Sequence, residues 1–252
     1  MKLKRYLWLT VLLATIAFSV LPAYSQQFFQ PRRVFQVSTL GALNVGVYEG
    51  ATTLAQLKQQ GDFGLGTIEG LDGELVGLDG KFYHVKTDGI AYPVADEVKT
   101  PFATVAFFHT ERSLRLNGQM NYQELQQQID TGLPTQNLPY AIRIRGVFPY
   151  LKVRSVPKQL PPYLPLSDVI SQQAAIFELR NVRGTLVGFR MPQYLESVNA
   201  AGYHFHLITS DRTSGGHLLD GEFLDSRVDI ETLHDWQMML PDNTAFKQAP
   251  LK

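Results

Sequence analysis

The chain has 252 residues, 44% of them hydrophobic, with 23 basic and 23 acidic side chains and no cysteine. That length can bury a sizeable core as one large domain or two small ones, and the lack of cysteine excludes disulfides and thiolate metal ligands. No run of like charge, low-complexity tract or amphipathic basic helix occurs, so the composition offers no nucleic-acid or membrane-surface partner.

In chain order, the first predicted element is an export signal. Met1-Lys2-Leu3-Lys4-Arg5 is a basic n-region, Tyr6 to Leu21 is an apolar h-region, and Ala23-Tyr24-Ser25 supplies small residues at cleavage spacing. The apolar run is shorter than the roughly 20 residues that cross a bilayer, so a signal peptide over residues 1–25 is expected, with no stable membrane anchor. No cysteine closes the h-region, which excludes a lipoprotein anchor and predicts a periplasmic or extracellular mature chain. Its removal takes away Lys2, Lys4 and Arg5 and no acid, leaving 20 basic against 23 acidic side chains.

After a short N-terminal segment, residues 26–34, the sequence reads as short strands separated by Gly, Pro and Asp. Examples are Phe82-Tyr83-His84-Val85, Thr104-Val105-Ala106-Phe107-Phe108 and Ala141-Ile142-Arg143-Ile144-Arg145. Helical patterning is predicted for Thr52 to Gln60, Asn121 to Gln128, Leu166 to Ala175 with a cap near Ser167-Asp168, and Pro192 to Val198. The mixture predicts an α+β, strand-rich two-part fold with mixed β-sheets and a few short helices. Pro157 to Pro165 is the clearest break, so an N-terminal mixed β-sheet domain is expected over 35–156 and a C-terminal β-rich metal-binding domain over 157–252. One echo, Leu71-Asp72-Gly73-Glu74 against Leu219-Asp220-Gly221-Glu222, is too short for a duplication and reads as a common hairpin turn.

Three of the six histidines fall between Tyr203 and His217. On a strand, His204 and His206 project from one face while Tyr203, Phe205 and Leu207 project from the other. The polar loop Thr209 to Ser214, with Gly215-Gly216 able to turn tightly, can bring His217 back on a neighbouring strand. Three imidazoles without cysteine suit a catalytic zinc site with an open position, although copper, nickel or iron also accept them. His84, His109 and His234 read as structural or partly exposed.

The combination Gly202-Tyr203-His204-Phe205-His206 with Thr213-Ser214-Gly215-Gly216-His217 resembles the zinc motif of the acetolactate decarboxylase family. Four further stretches are similar: Gln36-Val37-Ser38-Thr39, Gly61 to Thr67 with Leu71-Asp72-Gly73-Glu74, Val98 to Ala103, and Arg154 to Gln159. The resemblance runs from about Phe35 to Leu240. It implies Zn2+ on His204, His206 and His217, a buried catalytic glutamate at Glu74, a substrate-binding arginine at Arg154, and Thr67 lining the same pocket. It also implies 2-acetolactate as the small-molecule substrate and (R)-acetoin and CO2 as products, and it is compatible with a homodimer, although the sequence does not reveal the oligomeric state. On pattern alone, Arg154 reads as a surface arginine beside a proline turn and Glu74 as the end of an Asp-Gly turn. Some members supply another carboxylate from the C-terminal tail, whereas Asn243 to Lys252 holds no acid, so either the role is absent or Glu222 or another acid takes it.

The implied chemistry needs an electron sink, because losing the carboxylate leaves a pair that flows into the adjacent ketone. A divalent ion would stabilise that enediolate as a Lewis acid without an organic cofactor. Two other readings remain open. A cupin-like metal oxygenase also carries His-x-His but normally adds a Glu ligand within four or five residues, where this chain has Asp211. A non-catalytic exported metal-binding protein would need only the histidines. A zinc hydrolase lacks its His-Glu-x-x-His helix here.

Overall fold

Strand-forming residues dominate the computed structural model, which describes residues 32–251; the expected signal peptide lies outside the described residues. In chain order the elements begin with β1 (Arg33–Val37), α1 (Leu40–Asn44), β2 (Thr52–Thr53), α2 (Leu54–Lys58), β3 (Phe63–Thr67), β4 (Glu74–Leu78), β5 (Lys81–Val85), β6 (Ala91–Pro93), β7 (Lys99–Thr100) and β8 (Ala103–Ala106). There follow β9 (Arg112–Asn121), α3 (Tyr122–Gly132), β10 (Tyr140–Ser155), α4 (Leu166–Gln173), β11 (Ala175–Met191), β12 (Gly202–Thr209), β13 (Gly215–Thr232), β14 (Asp235–Met239) and α5 (Thr244–Gln248). No helix among the described residues is long and apolar enough to cross a membrane.

Two main sheets result, and the strand-rich α+β expectation holds. The first has the order β14-β1-β8-β3-β4-β5-β6 and is mixed, since β1 runs parallel to β14 and antiparallel to β8. The second is antiparallel, β10-β11-β12-β13-β9, and β10 also pairs with β13, so the circuit from β10 to β13 closes on itself. β2 and β7 form a separate short pair.

Side-chain alternation settles which face of each strand points where. Phe205 and Leu207 of β12 enter an apolar cluster with Ile142, Ile144, Leu151 and Val153. Ile208, two residues from His206, instead joins a cluster with Val34, Phe63, Leu65 and Val76 of the first sheet. The face of β12 that carries 204, 206 and 208 is therefore turned toward the first sheet. On β4, Val76 lies in that same shared cluster while Leu75 packs on the opposite side with Leu54, Leu57 and Phe82, so Glu74 also faces between the sheets.

The helices depart in detail from expectation. The 52–60 segment opens as β2, with Thr53 and Gln56 forming a capping box for α2. Asn121 and Glu124 cap α3, which runs four residues beyond the expected Gln128 to Gly132. Pro165, not Ser167-Asp168, precedes α4, with no side-chain cap; its fixed extended backbone starts the helix and leaves Ser167 and Asp168 inside the first turn. The Pro192–Val198 helix shrinks to a 3-10 turn, Gln193–Leu195. The change of sheet does not fall at Pro157: β9 and β10 already belong to the second sheet, β14 returns to the first, and the proline stretch connects two partners of the second sheet. Leu219 to Glu222 lies within β13 and is not a turn.

Candidate metal centre and active site

Register builds the site from cross-strand neighbours. On the first sheet Thr67 of β3 is opposite Glu74 of β4. On the second, Arg154 of β10 is opposite His217 of β13, and His217 is opposite His206 of β12, with His204 one step along the same face. The six sequence-predicted residues thus come together and line one cavity of about 300 Å³. Two glycines permit the approach: a Cβ on Gly215 would lie 2.2 Å from the Leu207 carbonyl oxygen, and Gly216 adopts φ +140° with a Cβ position 2.8 Å from the Arg154 carbonyl oxygen.

The three imidazoles present Nε2 of His204, Nε2 of His206 and Nδ1 of His217 to one another at 3.2, 3.1 and 3.3 Å. A tetrahedral ion with bonds of about 2.0–2.1 Å needs its ligand nitrogens about 3.3–3.4 Å apart, so this triangle fits three corners and leaves the fourth for a small molecule. His206 donates Nδ1–H to the Leu75 carbonyl oxygen at 2.9 Å, which fixes the tautomer with a free Nε2 lone pair. Burial holds His204 down to about 3, with the charge of Arg154 adding to the effect. His206 and His217 are likewise pushed well below the ordinary range, chiefly by burial. All three are neutral, the form that ligates a metal.

Glu74 is 5% exposed and burial pushes its carboxyl up to about 7, against the pull of Arg154. Its Oε1 is 3.4 Å from Arg154 Nη1 and its Oε2 is 3.4 Å from His206 Nε2; because His206 is neutral, the second contact is not an ion pair. A single long contact to the guanidinium leaves Arg154 donors free for another anion. Thr67 donates its hydroxyl to the Gly73 carbonyl oxygen at 2.7 Å, holding the turn that delivers Glu74. Leu40, Leu43, Leu71, Phe102, Val156 and Leu166 supply an apolar wall, which sequence reasoning missed because such residues look like any other core.

Other candidates lie elsewhere. Glu222 is exposed on β13, where it accepts from Gln119, and does not line the cavity, so it does not supply the acid. Asp211 accepts from Thr209 and Thr213 within its own exposed turn. His84 faces Asp72 at 3.6 Å, His109 bonds the Phe107 carbonyl oxygen, and His234 is exposed.

The model of the alpha-acetolactate decarboxylase family matches residues 34–252. The chain is 49% identical over 220 residues to the alpha-acetolactate decarboxylase of Methanosarcina mazei, spanning 86% of this chain and 75% of that one. It is 44% identical over 222 residues to that of Methylococcus capsulatus, spanning 88% and 85%. Its fold is similar to the crystal structure of alpha-acetolactate decarboxylase from Bacillus subtilis strain 168, with a TM-score of 0.85 at 39% identity over 87% of this chain and 94% of that one.

Proposed function

The chain belongs to the alpha-acetolactate decarboxylase family and is a carboxy-lyase, and from that premise we propose that it converts 2-acetolactate to (R)-acetoin and CO2 with zinc held by His204, His206 and His217. What supports this most is the convergence of three neutral imidazoles, a buried carboxyl and a guanidinium on one cavity. A donor set of three nitrogens and redox-free chemistry favours zinc over copper or iron.

The substrate carries a carboxylate and a hydroxyl on the carbon beside a ketone. When the bond to the carboxylate breaks, CO2 leaves and the electron pair moves toward the ketone oxygen, giving an enediolate. A bound divalent ion supplies the Lewis acid that favours charge on oxygen. Arg154 presents a planar fork to the carboxylate before it departs. Glu74, whose carboxyl burial raises to about 7 so that the protonated form is populated near neutral pH, delivers a proton to carbon from one face, which yields one enantiomer. Thr67 holds the Gly73 carbonyl and with it the position of Glu74. The export signal read in residues 1–25 supports a reaction outside the cytoplasm.

Metal analysis beside turnover tests the assignment. His204→Ala should lose both metal and acetoin formation, whereas Glu74→Gln should keep the metal and lose at least about 100-fold in kcat. Full turnover in either variant contradicts it. Metal retained by a parent chain that forms no acetoin would favour the binding-protein reading instead.

A further inference from the structure

One wall of the cavity is built from segments far apart in sequence, α1 and residue 200, and one buried hydrogen-bond cluster joins them. Asn199, 2% exposed, donates from Nδ2 to Gln36 Oε1 at 2.6 Å and to Thr104 Oγ1 at 2.9 Å, while its Oδ1 accepts from the Ala200 backbone at 2.7 Å. Gln36, fully buried on β1, donates from Nε2 to the carbonyl oxygens of Ser38 and Val198, both at 2.7 Å. Every donor and acceptor atom of the two amides is therefore engaged, and a buried network in that condition specifies a single geometry.

What the cluster holds is the cavity wall. The Leu40 and Gly41 amides bond the carbonyl oxygens of Val198 and Ser197 at 3.0 and 2.7 Å, which ties α1 to the 197–200 segment. Leu40, Leu43 and Asn44 from α1, and Ala200 from that segment, line the cavity, while Asn199, Gln36 and Thr104 do not. Metal ligands and Arg154 lie on β10, β12 and β13, outside the cluster.

We propose that Asn199 is a positioning residue for substrate: through Gln36 and Thr104 it anchors α1 and residues 197–200 to β1 and β8, and so sets the distance of the Leu40–Leu43–Ala200 wall from the histidines. This rests on reading the cavity as the substrate site. A loosened wall grips the apolar part of the substrate poorly, while the metal ligands keep their places.

The experiment compares Asn199→Asp, which keeps the acceptor for Ala200 and puts an oxygen in place of the amide nitrogen that donates to both Gln36 and Thr104, with Thr104→Val, Thr104→Ser and the remote core variant Val228→Ala. Asn199→Asp and Thr104→Val should raise KM for 2-acetolactate about tenfold with kcat and metal content little changed. Thr104→Ser should restore the parental KM, and Val228→Ala should lower thermal stability without moving KM. Hydrogen exchange at the Leu40 and Gly41 amides reads the wall independently of catalysis, and should quicken at least about tenfold in Asn199→Asp and Thr104→Val only. Unchanged exchange and KM in those two variants, or an equal rise in Val228→Ala, overturns the inference. Faster exchange in a parent system that does not decarboxylate 2-acetolactate would show instead that the reading of the site had failed.

Discussion

Asp229 has no exposed surface, and its carboxylate is matched by four donors: Ser113 Oγ at 2.6 Å, Arg227 Nε at 2.8 Å, Arg143 Nη2 at 3.2 Å and Arg145 Nη2 at 2.7 Å. Burial alone would raise its pKa, but these donors hold it below the usual carboxylate value. A folded-state pKa below the unfolded one stabilises the fold above the unfolded value and loses that contribution as pH falls through the folded one. Asp229→Asn should therefore cost about 2 kcal/mol at pH 7, discounted for the exposed ends of Arg145 and Arg227, with the gap from the parent closing below about pH 4; urea midpoints across pH check this. Glu74 is the contrast, buried with one long contact to Arg154, and its pKa moves the other way. The histidines were legible because His-x-His and a glycine turn are local signals. The Asn199–Gln36 contact spans 163 residues, and no local pattern announces such a pairing.

At the scale of elements, the three-histidine site depends on how closely β12 and β13 approach. Gly215→Ala forces a Cβ into the Leu207 carbonyl, which is backbone and cannot turn aside. Overpacking of this kind costs about 1–3 kcal/mol, and here it also shifts His217 against His206. The expected outcome is a lower thermal midpoint together with weaker metal binding, measured by calorimetry and by competition with a chromogenic chelator. Parental metal affinity in a folded variant would show that the glycine is not needed for the site. Helix α3 was readable in the sequence because Asn121 and Glu124 form a local capping box. The five-residue helices α1 and α5 were not: Thr39 and Asn243 cap them, but neither has the partner Gln or Glu three residues on that closes the capping box of α2 and α3.

The whole molecule joins two sheets through Val34, Phe63, Val76, Val187, Phe189 and Ile208, and the His206 bond to the Leu75 carbonyl ties the histidine strands to the first sheet. Ligand binding to the folded state alone adds stability, roughly 4 kcal/mol at a free concentration a thousand times Kd. Chelation should thus lower the thermal midpoint by on the order of 10 °C, and an unchanged midpoint would mean that no ion is held. Strand content could be read from the sequence, but sheet membership could not. The parallel pairing of β14 with β1 and the return of β10 to β13 join distant segments, and proline punctuation marks only where a ladder stops. Incubating the zinc-loaded chain with 2-acetolactate tests the proposed reaction most directly. CO2 and (R)-acetoin should form in equal amounts, abolished by chelation and restored by zinc; a folded, zinc-loaded chain that forms neither product would contradict the proposal.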